Sequence, residues 1–426
     1  MERGRPVEMT AEKKAEKKVE EYDVVIIGGG AAGLTAGIYC GRARLKTLLI
    51  EKSLVGGLAT YTNEIENYPG FPEGATGLGL MELFHKQAKR FGVKFKLTDV
   101  RSVQLAGDVK VVETFRTDYH AKVVIAATGG KPRLTGAKGE DAFLYDKGIS
   151  FCATCDAAAN TGKTVLVVGS GDAAIEEGMF LTKFAEKVIV SVMHDEGRMD
   201  CNEIARNEAL HNPKMHFVWN TVVEEFKGGE RLDAVVLKNV KTGESINIPV
   251  DSCFLFIGYL PNTEIFRDQL HMNKAGYLLA NERTETNIPG VFAAGDVCDK
   301  FLKQVATAVG DGAVAGYSAE KYIAESEVFE SQIMSGTTPK IVYVYNAVDP
   351  KCREFLPLME ELEKRTDVAV EVVRIDTYKS NGLARRLGVD ATPCAMILRG
   401  GQKLREFSCG AICRDGILDC LVESES

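Results

Sequence analysis

The feature that most limits how this chain can fold is a pair of glycine-rich turns, each entered from an apolar run. In the first, Tyr22–Ile27 leads directly into Gly28-Gly29-Gly30-Ala31-Ala32-Gly33. The run Asp23–Ile27 reads as a buried parallel strand, and the glycines turn the chain into a helix beginning near Ala31. The N-terminus of such a helix offers free N–H groups and the positive end of its dipole, a seat for a pyrophosphate. The next strand, Lys46–Ile50, ends in Glu51, 18 residues past Gly33. A carboxylate there can accept hydrogen bonds from an adenosine ribose. One glycine loop is weak evidence; strand, loop, helix, strand and acid in register describe a dinucleotide site.

The second turn repeats the pattern with one loss. Thr164–Val168 runs into Gly169-Ser170-Gly171-Asp172-Ala173-Ala174 and on to Lys187–Val192. Laid over the first unit, Val192 falls on Glu51, so Gly169 and Gly171 remain for a pyrophosphate but the ribose acid is gone. The alternative is a vestigial unit that binds nothing. Thr286–Asp296 adds a short apolar strand that delivers Gly295-Asp296 at its carboxyl end, where α/β sheets make ligand contacts, although Gly-Asp is also ordinary turn chemistry. Gln304-Val305-Ala306 then opens a helix of small residues able to pack closely under a flavin ring. The predicted class is α/β, with two Rossmann-like three-layer domains.

Between the two turns lies Cys152-Ala153-Thr154-Cys155, followed at once by Asp156. A zinc site wants a second such pair or histidines, and no histidine lies between His120 and His194, so no metal is expected. A dithiol beside two dinucleotide loops makes chemical sense instead: a flavin takes up a hydride's two electrons and a disulfide accepts both. Asp156 is either a helix cap or the acid/base for a departing thiol, and the chemistry alone leaves both open.

Composition closes off other classes. The 426 residues have room for two or three domains. A net charge of −8 argues against nucleic acid as a partner, and no stretch approaches the roughly 20 apolar residues of a membrane span. Residues 1–21 alternate Lys and Glu, read as a charged tail, and lack the apolar core of a secretory signal. Together with eleven cysteines this points to a reducing cytoplasm.

From Tyr22 to Ile323 the chain resembles the low-molecular-weight thioredoxin reductases of the pyridine-nucleotide–disulfide oxidoreductase family. The resemblance rests on GGGAAGLTAGIY, NEIENYPGFPEG, ATGGKPR, CATCD, GSGDAAIEEGMFLTKFA, FLFIGYLPNTEIF, TNIPGVFAAGDV and KQVATAVGDGAVA, in the family's order. It implies a homodimer in which an FAD domain (22–130 with 258–325) is interrupted by a nicotinamide domain (131–257) that carries the dithiol. It implies Cys155 beside the flavin, Cys152 as attacker of a protein disulfide and Asp156 as proton donor. FAD contacts map to Gly28, Gly30, Gly33, Glu51, Gly57, Asn67, Asp296, Gln304 and Val305. It also implies a rotation between two domain orientations, with hinges near Gly129–Gly130 and Gly258.

The chain departs from the family where NADPH-specific members carry a His-Arg-Arg triplet and a further Arg for the 2′-phosphate. Here the triplet positions are Val192, Met193 and His194, and only Arg198 remains. Losing two guanidiniums removes the fork that suits a phosphate. After Cys-Ala-Thr-Cys-Asp the chain has Ala157, Ala158 and Ala159, where the family has Gly and aromatics.

Residues 326–338 read as a linker. Residues 339–424 alternate strand and helix in βαβαββα order, with Thr392-Pro393 before the third strand, and resemble thioredoxin with a cis proline. The Cys-x-x-Cys of that fold is here Asp349-Pro350-Lys351-Cys352, which has lost the nucleophile. Cys394 either pairs with Cys352 or both are ordinary buried thiols of a docking module; Cys409 and Cys413 read as structural. The expected activity is two-electron transfer from NADPH through FAD to Cys152–Cys155 and on to thioredoxin or a similar protein disulfide. The alternatives are a ferredoxin-fed reductase, a slow redox sensor or adaptor, and a flavoprotein serving a peroxidase.

Overall fold

A computed structural model describes residues 17–61, 65, 67–144, 146–365, 369–378 and 381–423. The chain divides into two compact units between Tyr317 and Ser318. The first unit holds two sheets with parallel centres. Strands of the first run in the order Lys94–Leu97, Thr47–Glu51, Lys18–Ile27, Thr117–Ala126, Lys110–Thr114, Val100–Gln104. Thr117–Ala126 is long enough for two further partners: antiparallel Lys110–Thr114 beside its first half and parallel Val291–Ala293 beside its last residues.

The continuous apolar run at Val24–Ile27 has a direct cause. Val25 and Ile27 join a core with Phe266, Leu270 and Leu278 on one face. Ile26 meets Gly33 and Gly37 of helix Ala31–Arg42 on the other. A strand covered on both sides must be apolar at every position. Strands Lys18–Ile27, Thr117–Ala126 and Val291–Ala293 are mutually in parallel register, so their carboxyl ends bring Gly28, Ala127 and Ala294-Gly295-Asp296 to one edge.

The second sheet is parallel, in the order Met215–Trp219, Lys187–Val192, Thr164–Val168, Ser252–Leu255, Ile149–Ser150. Val165 and Val167 pack with the helical side through Ala153, Ala174 and Ile175. Leu166 and Val168 pack with Phe226, Val235 and Leu237 of a three-stranded antiparallel sheet. The period-two alternation thus fills two cores, one on each side of the sheet. The two halves of the first unit are joined by an antiparallel ribbon in which Gly130 pairs with Pro261 and Pro132 with Tyr259.

In the second unit four strands run in the order Glu371–Asp376, Lys340–Tyr345, Cys394–Arg399, Gln402–Ser408. Met359, Leu362, Ile417 and Leu421 cover one face, and Phe329, Ile333, Leu383 and Ala384 the other. The Thr392–Pro393 bond is cis.

Two expected boundaries change. Sixteen residues of the charged tail lie outside the described residues, and Lys18–Glu21 already belong to the first strand. The expected linker 326–338 is largely helical: helix Val305–Val328 runs into a wider turn, Phe329–Met334. Phe329 and Ile333, four apart, bury themselves in the core of the second unit, so this segment is one of its layers.

Candidate active site

The first glycine turn is fixed by contact. Gly28 has φ +110°, and a Cβ there would stand 2.2 Å from the Ala127 carbonyl oxygen; one on Gly33 would stand 1.9 Å from the Gly28 carbonyl oxygen. Helix Ala31–Arg42 has no capping side chain at Gly30, which leaves its N-terminal groups for a ligand. Glu51 is held over the loop, its Oε2 accepting the Gly29 N–H at 2.8 Å and its Oε1 the Ser53 N–H at 2.9 Å. Gly57 lies against Gly30, with room for no more than a close Cβ contact at 3.2 Å. Asn67 donates to Gln304 Oε1 at 3.2 Å, and Val305 begins the long helix. The residues expected to hold FAD are therefore gathered at the carboxyl edge of the first sheet and along its flanking turns.

Asp296 supplies the test of fit. Its Oδ1 is buried without a hydrogen-bond partner. Burial pushes the carboxyl up, while Lys300 and Lys303 pull it down. A buried acceptor left open at the end of a strand is costly unless a ligand donor meets it. Together with the glycine cradle, the residues fit FAD. Gly33→Val should cost about 3 kcal/mol or more through overpacking against backbone, and flavin absorbance per chain should fall to background. A yellow Gly33→Val protein at full occupancy would refute the cradle.

Cys152 and Cys155 form a disulfide with Cα atoms 5.4 Å apart. Cys152 is extended and precedes the helical turn Ala153–Asp156, which contains Cys155. The turn is tied down at both ends. Ser150 Oγ accepts the Cys152 N–H at 3.2 Å and donates to Asp156 Oδ2 at 2.5 Å. Asn160 donates to the Asp156 carbonyl at 2.8 Å and itself accepts from Ser252 at 2.6 Å. Burial pushes the Asp156 carboxyl up and the Ser150 hydroxyl opposes it. The carboxyl thus holds its proton to higher pH than an ordinary aspartate, on the same turn as Cys155.

Three residues of this site were not among those expected from sequence. Glu177, on helix Asp172–Leu181, has a buried Oε2 with no partner. Burial pushes its carboxyl up, and the backbone N–H groups of Ala153 and Thr154 hold it down, so it faces the start of the dithiol turn. Tyr259 donates to the Phe151 carbonyl at 3.3 Å, next to Cys152. Burial, and after it Asp296, pushes its phenol up to about 12, which sets Tyr259 between the dithiol segment and the FAD residues. Ser150 is the third. The one signal for Glu177 is an acid among the buried positions Ala174, Ile175, Gly178 and Leu181 of its helix.

The second glycine turn is open at Gly171, where an added Cβ would meet nothing within 4 Å; Gly169 has φ +131°. Asp200 accepts from Ser170 at 3.1 Å and pairs with His194 at 2.8 Å. Asp195 is bonded to Lys241. Arg198 is exposed and within electrostatic reach of both Asp195 and Asp200. The second turn thus leaves open space at Gly171 and places one exposed guanidinium beside two acids. Arg198→Ala should raise the KM for NADPH about fivefold or more, the loss of one exposed charge-assisted contact, and leave that for NADH within twofold. Equal effects on the two would remove Arg198 from phosphate recognition.

In the second unit, Cys352 and Cys394 are both buried and form no disulfide. Cys394 packs with Val342, Val344 and Met396. The Cys352 carbonyl accepts from the Tyr343 hydroxyl, whose ring belongs to the core on the opposite face of the sheet. Cys409 and Cys413, expected as structural, are exposed. Among the described residues no group of three His, Cys, Asp or Glu side chains could hold a metal, and no helix is long and apolar enough to cross a membrane.

Residues 22–312 match the family model for pyridine nucleotide-disulphide oxidoreductases, and residues 320–422 match the model for thioredoxin. A thioredoxin reductase from Peptoclostridium acidaminophilum is 42% identical over 308 residues, 71% of this chain and 97% of that one. One from Bacillus subtilis is 39% identical over 312 residues, 73% of this chain and 97% of that one. The crystal structure of a thioredoxin reductase from Streptococcus pyogenes superposes with a TM-score of 0.67 at 38% identity, covering 71% of this chain and 98% of that one.

Proposed function

The chain belongs to the pyridine nucleotide-disulphide oxidoreductase family, and from that premise we propose that it passes two electrons from NADPH through FAD to Cys152–Cys155 and on to the disulfide of thioredoxin or a similar protein. It is an enzyme, a flavin-dependent thiol–disulfide oxidoreductase of the thioredoxin reductase type. The observation that carries the assignment is a disulfide set between two glycine-loop units, with Tyr259 joining its segment to the neighbourhood of Asp296.

FAD is held by 22–130 with 258–325 and the nicotinamide by 131–257, and when bound the flavin relays a hydride's electron pair to a disulfide. The chain's own residues do the rest. Gly28, Gly30 and Gly33 admit the pyrophosphate, Glu51 takes the ribose, and Gly57, Asn67, Asp296, Gln304 and Val305 line the remainder. Gly169, Gly171 and Arg198 take the nicotinamide dinucleotide. Cys152 attacks the partner disulfide, Cys155 closes the ring again, and Asp156 holds the proton that the departing thiolate takes. Glu177 and Ser150 position the turn between them.

The relatives are named for thioredoxin, which is the class of partner proposed here. A homodimer and a cytoplasmic setting complete the reading; nine cysteines outside the disulfide suit a reducing compartment. The test is anaerobic: FAD-loaded protein is mixed in turn with NADPH, NADH and reduced ferredoxin while flavin absorbance is followed. Bleaching by NADPH, followed by recovery on adding oxidised thioredoxin, is the expected result. Bleaching by ferredoxin alone would replace the donor, and bleaching by none would remove the electron source.

A further inference from the structure

Cys152 stands just before the helical turn Ala153–Asp156, with extended φ −147° and ψ 105°. A thiolate in that place is ordinarily stabilised by the first N–H groups of the turn, which have no partner within it. Here those groups serve another acceptor. The Ala153 and Thr154 N–H groups act on the Glu177 carboxyl and hold it down against burial. Glu177 comes from helix Asp172–Leu181, whose Ala174 and Ile175 share a core with Ala153 and Ala157 at the two ends of the turn. Packing therefore aims the side chain. Its Oε2 is buried and meets no donor of this chain. The Cys152 sulfur itself meets the Thr154 hydroxyl at 3.3 Å.

The neighbouring groups do not replace what Glu177 takes. Asp156 ends the turn and lies within electrostatic reach of Asp146. Glu176 adjoins Glu177 on its own helix, and the Tyr259 hydroxyl feels Glu177 from the ribbon. The one cation among the groups acting here, Arg231, works on Asp146. Acids and a phenol face the dithiol turn, and a thiolate gains nothing from them.

We propose that Glu177 leaves the Cys152 thiolate unstabilised and so makes Cys152–Cys155 an electron donor, by occupying the two N–H groups the thiolate would use and setting a carboxylate beside them. The proposal rests on the reading of Cys152–Cys155 as the flavin-fed pair and gives that pair its direction. A pair whose reduced form is stabilised is an oxidant, and withholding that stabilisation does the reverse. In the mixed disulfide with a partner, reversal would expel Cys152, and a weakly acidic sulfur leaves slowly. Attack by the Cys155 thiolate on Cys152 instead re-forms the core disulfide and expels the partner's sulfur, which takes up a proton.

The test uses full-length, FAD-loaded protein and the tryptic peptide 148–163, which holds Cys152 and Cys155. In Cys155→Ser, Cys152 is the lone thiol of that peptide, and its alkylation rate is followed over a pH series. The midpoint should lie at or above about 8.5, the value of an unperturbed cysteine. Adding Glu177→Gln, which keeps an acceptor without the charge, should lower it by about one unit or more. Glu177→Ala, which also frees both N–H groups, should lower it further. Glu176→Gln, exposed on the same helix, should leave it in place. With both cysteines present, the pair is equilibrated in dithiothreitol buffers and its closed fraction read on the same peptide. At the midpoint pH, Glu177→Gln should shift that equilibrium about fivefold or more toward the dithiol. The shift should fade about two pH units lower, where the thiols are protonated in either protein.

A Cys155→Ser midpoint below the unperturbed value overturns the proposal even if no Glu177 variant folds. An unmoved midpoint in Glu177→Gln overturns it too, as does an equilibrium shift of equal size at every pH, the mark of a merely structural tie. If NADPH opens 148–163 in the wild type while Glu177→Gln moves nothing, this inference falls and the flavin-fed reading stands. If NADPH leaves 148–163 closed, that reading falls and the inference falls with it.

Discussion

Cys155→Ser should give a yellow protein with no measurable disulfide reductase activity, a loss of at least about a thousandfold in kcat. The size follows from the chemistry. A disulfide takes two electrons as a pair, and a single thiol with a serine neighbour cannot close or open that ring. The structure indicates that the loss will be chemical and will not come from unfolding. Cys155 is half-buried in a turn held by Ser150 and Asn160, and neither bond uses its sulfur. Serine is close in shape, so the turn and the FAD residues should survive. Flavin occupancy, Tm and turnover measured on one preparation settle it. Turnover within tenfold of wild type would mean that another sulfur pair does the work.

Asp156→Asn is expected to slow turnover about a hundredfold, the usual scale for removing a positioned proton donor. Burial raises the Asp156 carboxyl, so its neutral form persists to higher pH than an ordinary aspartate allows. Wild-type kcat should therefore fall on the alkaline side as this proton is lost, and the variant should lack that limb. Stability should move the other way. An acid whose folded pKa lies above its unfolded value gives stability that is complete below the unfolded pKa and lost as pH rises through the folded one. At neutral pH the wild type carries that cost and the asparagine variant does not. The variant's Tm should therefore be equal or higher near pH 7 and lose the advantage below about pH 4, an ordinary aspartate's range. A variant that is slow because it is loosened would show a lower Tm at every pH.

Much of the site could be read because its parts are local. Gly28 to Gly33, Glu51 and the Cys152–Cys155 spacing each occupy a few consecutive positions, and the physical demands of a tight turn or a small ring appear directly in residue types. Asn67 and Gln304 lie far apart in sequence and came only from family resemblance; the structure joins them through a hydrogen bond. Glu177 and Tyr259 were invisible for a related reason. Glu176-Glu177 looks like a solvated helix face until the dithiol turn packs onto it, and Tyr259 gains its role only because the ribbon swings it to Phe151. The supposed linker misled because only two of its residues, Phe329 and Ile333, are fully buried in that core, with Val328 and Met334 packed partly against it, too short a run for a visible period.

The ribbon of Gly130–Pro132 with Tyr259–Pro261 bears on how such a chain could have arisen. The excursion leaves and rejoins its host at facing residues, whose Cα atoms in an antiparallel pair lie about 5 Å apart. A host cut there would have two ends that a residue or two could splice, with its seven-stranded sheet untouched. The intervening stretch works like a parenthesis in a sentence, removable without disturbing the grammar around it. A gene segment inserted at such a point need satisfy only its own packing, which suits the origin of one nucleotide-binding fold inside another by copying and insertion.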